Sequence, residues 1–440
     1  MSFRTYIERL AVRQDLVTII EPISTRYEMA AVLKEMEPRP VLFENPHETQ
    51  FRVLGNLFPN KATFADYFNL SVEEIIPTLS AAIEQRSPPR VVPEAPCQEV
   101  VVTNPNLDQL PILRHFENDG GRYITSGVVV AKHPQYGQNL DFHRCMQFSN
   151  NEMAMRVVEG RNFDTFLKDL KMVDIAVCVG CAPNVLAAAA TSVEIGIDEL
   201  EIANTLEPLD VVQAKSVDLY VPAEAEFVLE GTVYFKRKHA EGPFVDLTET
   251  QDVIRQEPVF EVKTITHRWD AIWQALLPGG MEHKLLMGMP REPTIFNSVN
   301  QVVRCLDVNV SPGGSSWLHA IVQIEKQDPE DGMKAIQAAF EGHSSCKHVF
   351  VVDKDIDIYN PLEVEWALAT RFQGNVDMVV KDRERGSSLD PSGELGTHQT
   401  TKIGFDLTKP LGEESKPFEK VEYPQIDLGK FMKEIDEGTI

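Results

Sequence analysis

Two carboxylates stand five positions apart in Glu241-Gly-Pro-Phe-Val-Asp246, directly after a strand-like run that ends near Lys238. Gly242 and Pro243 impose a tight turn there and do not extend a strand. Beside apolar groups such as Phe244 and Val245, partial burial can drive two carboxylates apart in acidity, so that one stays charged while the other keeps its proton. That is acid/base chemistry. The plain alternative is a solvated acidic turn.

A second candidate site lies in Asn139-Leu-Asp-Phe-His-Arg144 and Met155-Arg156-Val-Val-Glu159-Gly-Arg161-Asn162. The first segment reads as a strand, Ser149–Glu152 as a turn, and the second segment as the hairpin partner. Guanidinium forks grip phosphate oxygens, and amide and carboxylate oxygens suit a hard cation such as Mg2+ or Mn2+. The alternative is an ordinary solvated sheet face. Asn139 and Arg144 are an odd number of residues apart, so a regular strand would point them to opposite faces. A shared site therefore needs Asn139 at the strand start or beside a bulge.

Other motifs carry less. Cys178-Val-Gly-Cys181 has redox spacing but sits in an apolar strand without a second pair, and reads as packed core. Ser311-Pro-Gly-Gly-Ser-Ser316 is Gly-rich yet opens no phosphate-binding helix, and reads as a turn. A Walker lysine loop, a nucleophile-elbow serine, a His-Glu-x-x-His helix and a G-x-G-x-x-G fingerprint after a strand are all missing.

The 440 residues exceed what one core usually serves, and we expect three units: an N-terminal α/β unit (1–98), a β-rich central domain (99–306) and a C-terminal α/β domain with an assembly tail (307–440). The first alternates helices (Phe3–Val12, Tyr27–Met36, Ser71–Gln85) with short strands (Val17–Ile20, Val41–Phe43, Arg52–Leu57), and Pro88, Pro89, Pro93 and Pro96 mark its end. The centre is strand-rich and suggests a barrel-like or sandwich sheet. The last part alternates strand and helix, with strands at Leu318–Glu325, His348–Val352 and Val376–Val380 expected to be parallel. A net charge of −25 argues against nucleic acid and anionic membrane as partners. Six scattered cysteines and a start without an apolar core suggest a reduced, cytoplasmic protein. The run Ile175–Val193, broken by Pro183-Asn184, reads as strand, turn and helix rather than a span.

Asn139-x-x-x-x-Arg144, Asp198-Glu-Leu-Glu-Ile-Ala203, Val217-Asp-Leu-Tyr-Val-Pro-Ala223 continuing to Gly231, Glu241-Gly-Pro-Phe244, Lys347 to Asp357 and Trp366-Ala-Leu-Ala-Thr-Arg371 together resemble the UbiD family of reversible decarboxylases. The resemblance implies a mixed α/β fold whose central domain is a flavin-binding split β-barrel. It implies prenylated FMN, made by a flavin prenyltransferase, with Mn2+ or Mg2+ and a nearby K+. The reaction it implies is loss of CO2 from an α,β-unsaturated or aromatic carboxylic acid. Such a reaction leaves electron density on carbon that a side chain cannot absorb, so a cofactor must act as sink while the protein supplies position, charge and a proton.

Carried over by motif, Arg144, Glu241 and Asp246 become the catalytic network, with Arg144 and Glu241 orienting the substrate carboxylate and Asp246 giving the proton. Asn139 and Glu199 become metal ligands, with Glu159 or Asn162 where some members place a third. Phe142, His143, Arg144, Arg156, Val157, Val158, Arg161, Asn162 and Lys347 become cofactor contacts, with Arg156, Arg161 and Lys347 toward its phosphate. Most members carry Glu at the last acid, within Gly-Pro-x-Gly-Glu, then Gly-Tyr-Tyr, whereas this chain has Val245-Asp246-Leu-Thr. A shorter acid behind bulkier Val245 implies a shifted proton donor. Archaeal relatives acting on anhydromevalonate phosphate share such features, which makes that acid a substrate option. A flavin enzyme of other activity and a non-catalytic subunit of a carboxylase complex are the alternatives. The family associates through its C-terminal domain, and Leu395, Ile403, Phe405 and Phe418 in Gly386–Ile440 suggest a homo-oligomer, dimer or hexamer.

Overall fold

The computed structural model describes residues 2–394, 396–421 and 424–427. The chain opens with the helix Phe3–Val12, capped by the Ser2 hydroxyl, which accepts from Thr5 N. Phe3, Tyr6, Ile7 and Leu10 recur at helical spacing and are buried. Helices at Glu28–Met36 and Ile75–Glu84 and strands at Val17–Ile19, Val41–Phe43 and Arg52–Gly55 match the expected elements. The helix Lys61–Phe68 was not anticipated; its signal is the capping box of Asn60 and Thr63. The N-terminal sheet also takes a fourth strand, Ile272–Ala275, parallel to Arg52–Gly55, from far along the chain.

The central sheet curls as a half-barrel of nine strands. Its spine is the antiparallel pair Phe227–Glu241 and Arg255–His267, with register shifts between Glu230 and Gly231 and between Tyr234 and Lys238. Bulges of this kind bend a long strand and let a sheet curl. At the first, a Cβ on Gly231 would lie 2.0 Å from the Glu261 carbonyl oxygen, so only glycine fits. One apolar core lies against the helices Ile75–Glu84, Pro183–Ala190 and Glu199–Leu206, and another contains Phe163, Phe166, Phe227 and Trp273.

Three expectations change in this sheet. The expected strand Asn139–Arg144 does not run through: Gly137–Phe142 pairs with Val128–His133, and Cys145–Gln147 pairs with Glu152–Met155. The hairpin around the Ser149 turn is therefore built from 145–147 and 152–155, and Arg156 to Asn162 lies beyond it. Glu241 is the last residue of a strand and not part of a loop after Lys238, because the second bulge carries the pairing on to Glu241 opposite Arg255.

The C-terminal sheet has the order Cys305–Val310, His319–Ile324, His348–Asp353, Gln399–Asp406, Met378–Arg385. The middle three are parallel, but Met378–Arg385 is an antiparallel edge strand. The third parallel strand is Gln399–Asp406, not Val376–Val380 as expected. Ile403 and Phe405 belong to it, with Phe405 stacked on Phe350 at 4.8 Å. Arg371 is buried against Asp353 and Asp355, a fastening inside this domain. Leu395 lies outside the described residues. All six cysteines are free and buried, and Ile175–Val193 folds as strand, turn and helix. Among the described residues, no helix is long and apolar enough to cross a membrane.

Candidate active site

Arg144 sits where the sheet changes strands, between Gly137–Phe142 and Cys145–Gln147. That break relieves the alternation that would have set Asn139 and Arg144 on opposite faces. Arg144 Nε donates to Glu241 Oε1 at 2.9 Å and Nη2 to Glu241 Oε2 at 3.2 Å. Nη1 donates to Asp246, and Nη2 also reaches Asp252 Oδ2 at 2.9 Å. The guanidinium carbon lies 4.4 Å from the centre of the Phe244 ring. Side-chain exposure is 10% for Arg144, 0% for Glu241, 16% for Asp246 and 12% for Asp252, so the cluster is largely dry, with Asp246 the most open member. Burial alone would lower the Arg144 pKa, but Glu241 and Asp246 outweigh it and raise it. Asp252 is held below the usual carboxylate range: burial opposes this, but hydrogen bonds from Arg255 and Arg144 prevail.

The turn that carries the acids is closely seated. Gly242 has φ +99°, and a Cβ on Gly120 would lie 2.1 Å from the Gly242 carbonyl oxygen. Gly120 N donates to Pro243 O at 2.8 Å, and Gly242 N donates to the Tyr123 hydroxyl at 3.0 Å. Phe244–Val245 then pairs with Gln251–Asp252, which folds Asp252 back to Arg144. Asp252 was not among the expected site residues, since nothing in the sequence pattern shows a two-residue ladder. His283 is the other omission. It lies on the helix Met281–Gly288, accepts from Gly279 N at Nδ1 (3.1 Å), and feels the charges of Asp246 and Arg144, with burial lowering its pKa. Its signal was only a lone histidine in an ordinary helix.

The expected metal ligands divide. Asn139 is buried with its Nδ2 unpartnered, and Glu199 is buried with its Oε2 accepting from Leu140 N at 2.7 Å. Burial pushes the Glu199 carboxyl well up. A cation would relieve the buried Glu199 carboxylate, and Asn139 would serve it through its amide oxygen once the amide is turned from the orientation that encloses Nδ2, so this pair can hold a hard metal ion. Glu159 is not brought to them: its side chain is 87% exposed and faces Lys168. Asn162 donates to Val193 O at 3.4 Å. Asp141 and Asp198 are the acids that act on Glu199, and Asp141 Oδ1 lies 3.0 Å from His143 Nε2. His143 Nδ1 faces Arg156 O at 2.8 Å, which orients the ring.

The expected phosphate contacts divide as well. Arg156 donates to Glu257 Oε1 at 2.9 Å and is already charge-paired. Lys347 lies 2.8 Å from Asp390, in the C-terminal domain. Arg161 donates to Ser192 Oγ at 3.3 Å and has no carboxylate partner among the described residues. Phe142 is half-buried, Val157 buried and Val158 exposed.

The chain matches the N-terminal, Rift-related and C-terminal domains of the 3-octaprenyl-4-hydroxybenzoate carboxy-lyase family over residues 7–83, 90–281 and 284–407. It belongs to the UbiD family. As a UbiD-family chain it is a carboxy-lyase. It is 38% identical over 426 residues to the anhydromevalonate phosphate decarboxylase of Methanothermobacter thermautotrophicus, covering 95% of this chain and 99% of that one. To the enzyme of the same name from Methanosarcina mazei it is 40% identical over 434 residues, covering 97% and 100%. Among solved structures, the UbiD-class enzyme HmfF from Pelotomaculum thermopropionicum, in complex with FMN, superposes with a TM-score of 0.94 at 32% identity, covering 98% of this chain and 100% of that one. An evolved dimeric form of HmfF, in complex with prenylated FMN, gives 0.90 at 32% identity, over 98% and 100%.

Proposed function

We propose that this chain is a prenylated-FMN-dependent decarboxylase of anhydromevalonate phosphate. The observation that carries this reading is the single guanidinium of Arg144 shared by Glu241, Asp246 and Asp252, in a chain similar over its whole length to decarboxylases of that acid. Arg144 steers the substrate carboxylate by charge-assisted hydrogen bonds, which are stronger in a dry pocket than in water. Glu241, fully buried and gripped at both oxygens, fixes the guanidinium plane. Arg144 and Arg255 bring two positive charges to three clustered carboxylates, which favours a proton held within the cluster. Asp246, the most exposed of the three, is the member best able to reload from water and pass that proton to the carbon that CO2 leaves.

Prenylated FMN, when bound, supplies the electron sink for that carbon. The buried Glu199 carboxylate beside Leu140, with the Asn139 amide oxygen, would hold a Mn2+ or Mg2+ ion for the cofactor phosphate, with K+ nearby. A flavin prenyltransferase is the expected supplier of the cofactor. We also read the protein as at least a dimer; a monomer mass by light scattering at micromolar concentration would count against that.

The test of the reaction is CO2 release by protein produced alongside a flavin prenyltransferase. Release from anhydromevalonate phosphate, and not from a panel of unsaturated and aromatic acids, is the expected result. No release from the phosphorylated acid by flavin-loaded protein would sink the proposal.

A further inference from the structure

The helix Met281–Gly288, which carries His283 beside Asp246, continues into the turn Met289–Arg291 and ends on an arginine that the chemistry above does not use. Arg291 Nε is enclosed without a hydrogen-bond partner, and among the described residues its guanidinium has no ion pair. The adjacent acid, Glu292, is engaged elsewhere: Lys61 Nζ lies 2.7 Å from its Oε2, and Val310 N donates to its Oε1 at 2.9 Å. The Arg291 guanidinium lies over the Trp317 ring, 5.1 Å from its centre.

The groups that act on Arg291 add no negative charge. Arg161 is near enough to repel it, and among the described residues Arg161 itself meets no carboxylate. His343 lies against Trp317 at 4.6 Å, and its Nε2 is 3.0 Å from Trp317 O. Burial and Arg291 push that imidazole down to about 3, so it is neutral at ordinary pH. Burial, then Arg161, push Arg291 itself down to about 9. Trp317 is fixed by an Nε1 hydrogen bond to Ser387 Oγ at 2.9 Å and by the close approach of Gly288 to Ser316, where a Cβ would come within 2.6 Å of the carbonyl oxygen. The fold thus holds a planar cation in place without giving it a counter-charge. Such an arrangement is costly in the free protein and is relieved by an anionic ligand.

We propose that Arg291, with Arg161, binds the phosphate monoester of the substrate and so determines specificity for a phosphorylated acid. This rests on the proposed function. The eight steps from His283 to Arg291 span roughly 12 Å along a helical path, comparable to a short acid with a carboxylate at one end and a phosphate at the other. The guanidinium fork is planar and matches two phosphate oxygens, and the Trp317 ring lies against it. The cofactor carries a phosphate monoester too, and Arg161 could face either one, so the test is placed on Arg291.

Flavin-loaded wild-type protein and Arg291→Met are compared in two assays. In thermal melts without phosphate, the variant should melt at or above wild type, because an uncompensated charge has been removed. Inorganic phosphate should raise the melting temperature of wild type and not of the variant. In CO2-release assays with anhydromevalonate phosphate, KM should rise about 10²-fold in the variant with a smaller change in kcat and unchanged flavin absorbance. Arg291→Lys, which keeps the charge without the fork, should recover part of the KM. Loss of flavin from Arg291→Met would assign the residue to the cofactor phosphate and overturn the proposal. Equal stabilisation of both proteins by phosphate would overturn it as well. If wild type releases no CO2 from the phosphorylated acid, yet phosphate stabilises it and not the variant, the substrate reading fails while the anion site stands.

Discussion

Arg144 and Glu241 meet fork to carboxylate, Nε to Oε1 at 2.9 Å and Nη2 to Oε2 at 3.2 Å, although 97 residues separate them in the chain. Glu241 is fully buried, and this guanidinium grips both of its oxygens. Arg144→Met should destabilise the fold by about 3–5 kcal/mol, the usual cost of stranding one member of a buried pair. The double variant Arg144→Met/Glu241→Gln should recover much of that loss, because the stranded charge is gone. Urea denaturation of the two variants measures this; equal stability of Arg144→Met and wild type would remove the pair from the fold's support.

Asp246→Asn keeps size and polarity but removes the transferable proton. Turnover should fall by about 10²-fold or more, with flavin still bound and no solvent deuterium entering the product. Asp246→Glu restores the commoner family acid and should keep measurable activity with an altered substrate preference. Asp252→Asn should still incorporate deuterium, because Asp252 is held ionised between Arg144 and Arg255. If deuterium incorporation is lost in Asp252→Asn and kept in Asp246→Asn, the two roles must be exchanged.

Glu199→Gln keeps the shape of a buried side chain and lowers its appeal to a cation. We expect metal and flavin to be lost together from protein produced with a flavin prenyltransferase, as read by elemental analysis and the flavin absorbance. Full occupancy of both in the variant would displace the metal site from Asn139 and Glu199.

Glu282 offers a pH test away from the chemistry. It is buried, accepts from Leu57 N at 3.0 Å and Gln274 Nε2 at 3.1 Å, and burial raises its pKa from 4.5 to about 7. The folded protein therefore binds a proton more tightly than the unfolded chain does. The contribution is fully present below the unfolded value of 4.5 and is lost as pH rises through about 7, up to ~3 kcal/mol in all. In Glu282→Gln this fall should disappear, so the variant gains on wild type between pH 5 and 8 by urea denaturation at a series of pH values. Parallel stability curves for the two proteins would show that Glu282 titrates normally.

Much of the architecture was legible from short-range pattern. The helix Phe3–Val12 matches the bounds read from sequence, and Glu28–Met36 and Ile75–Glu84 fall within theirs, because each carries its own apolar periodicity. Pairing was not legible. Periodicity marks a strand but not its neighbour, so the edge strand Met378–Arg385 was read as part of the parallel set. The fourth strand of the N-terminal sheet, Ile272–Ala275, is a short apolar run with nothing local to reveal its distant partner.

The site divides along the same line. Arg144, Glu241 and Asp246 were singled out by their resemblance to the family's motifs, since residue type alone left a solvated acidic turn open, and the fold brings the three side chains together. The remaining features were decided by tertiary structure, since they depend on where unrelated segments meet. The strand break at Arg144 and the small ladder that returns Asp252 made one cluster of residues from three segments. Arg156 was claimed by Glu257 and Lys347 by Asp390, while among the described residues Arg161 and Arg291 were left without a carboxylate. A sequence records which charges a chain owns; only the fold determines which of them neutralise one another and which remain free to hold a ligand.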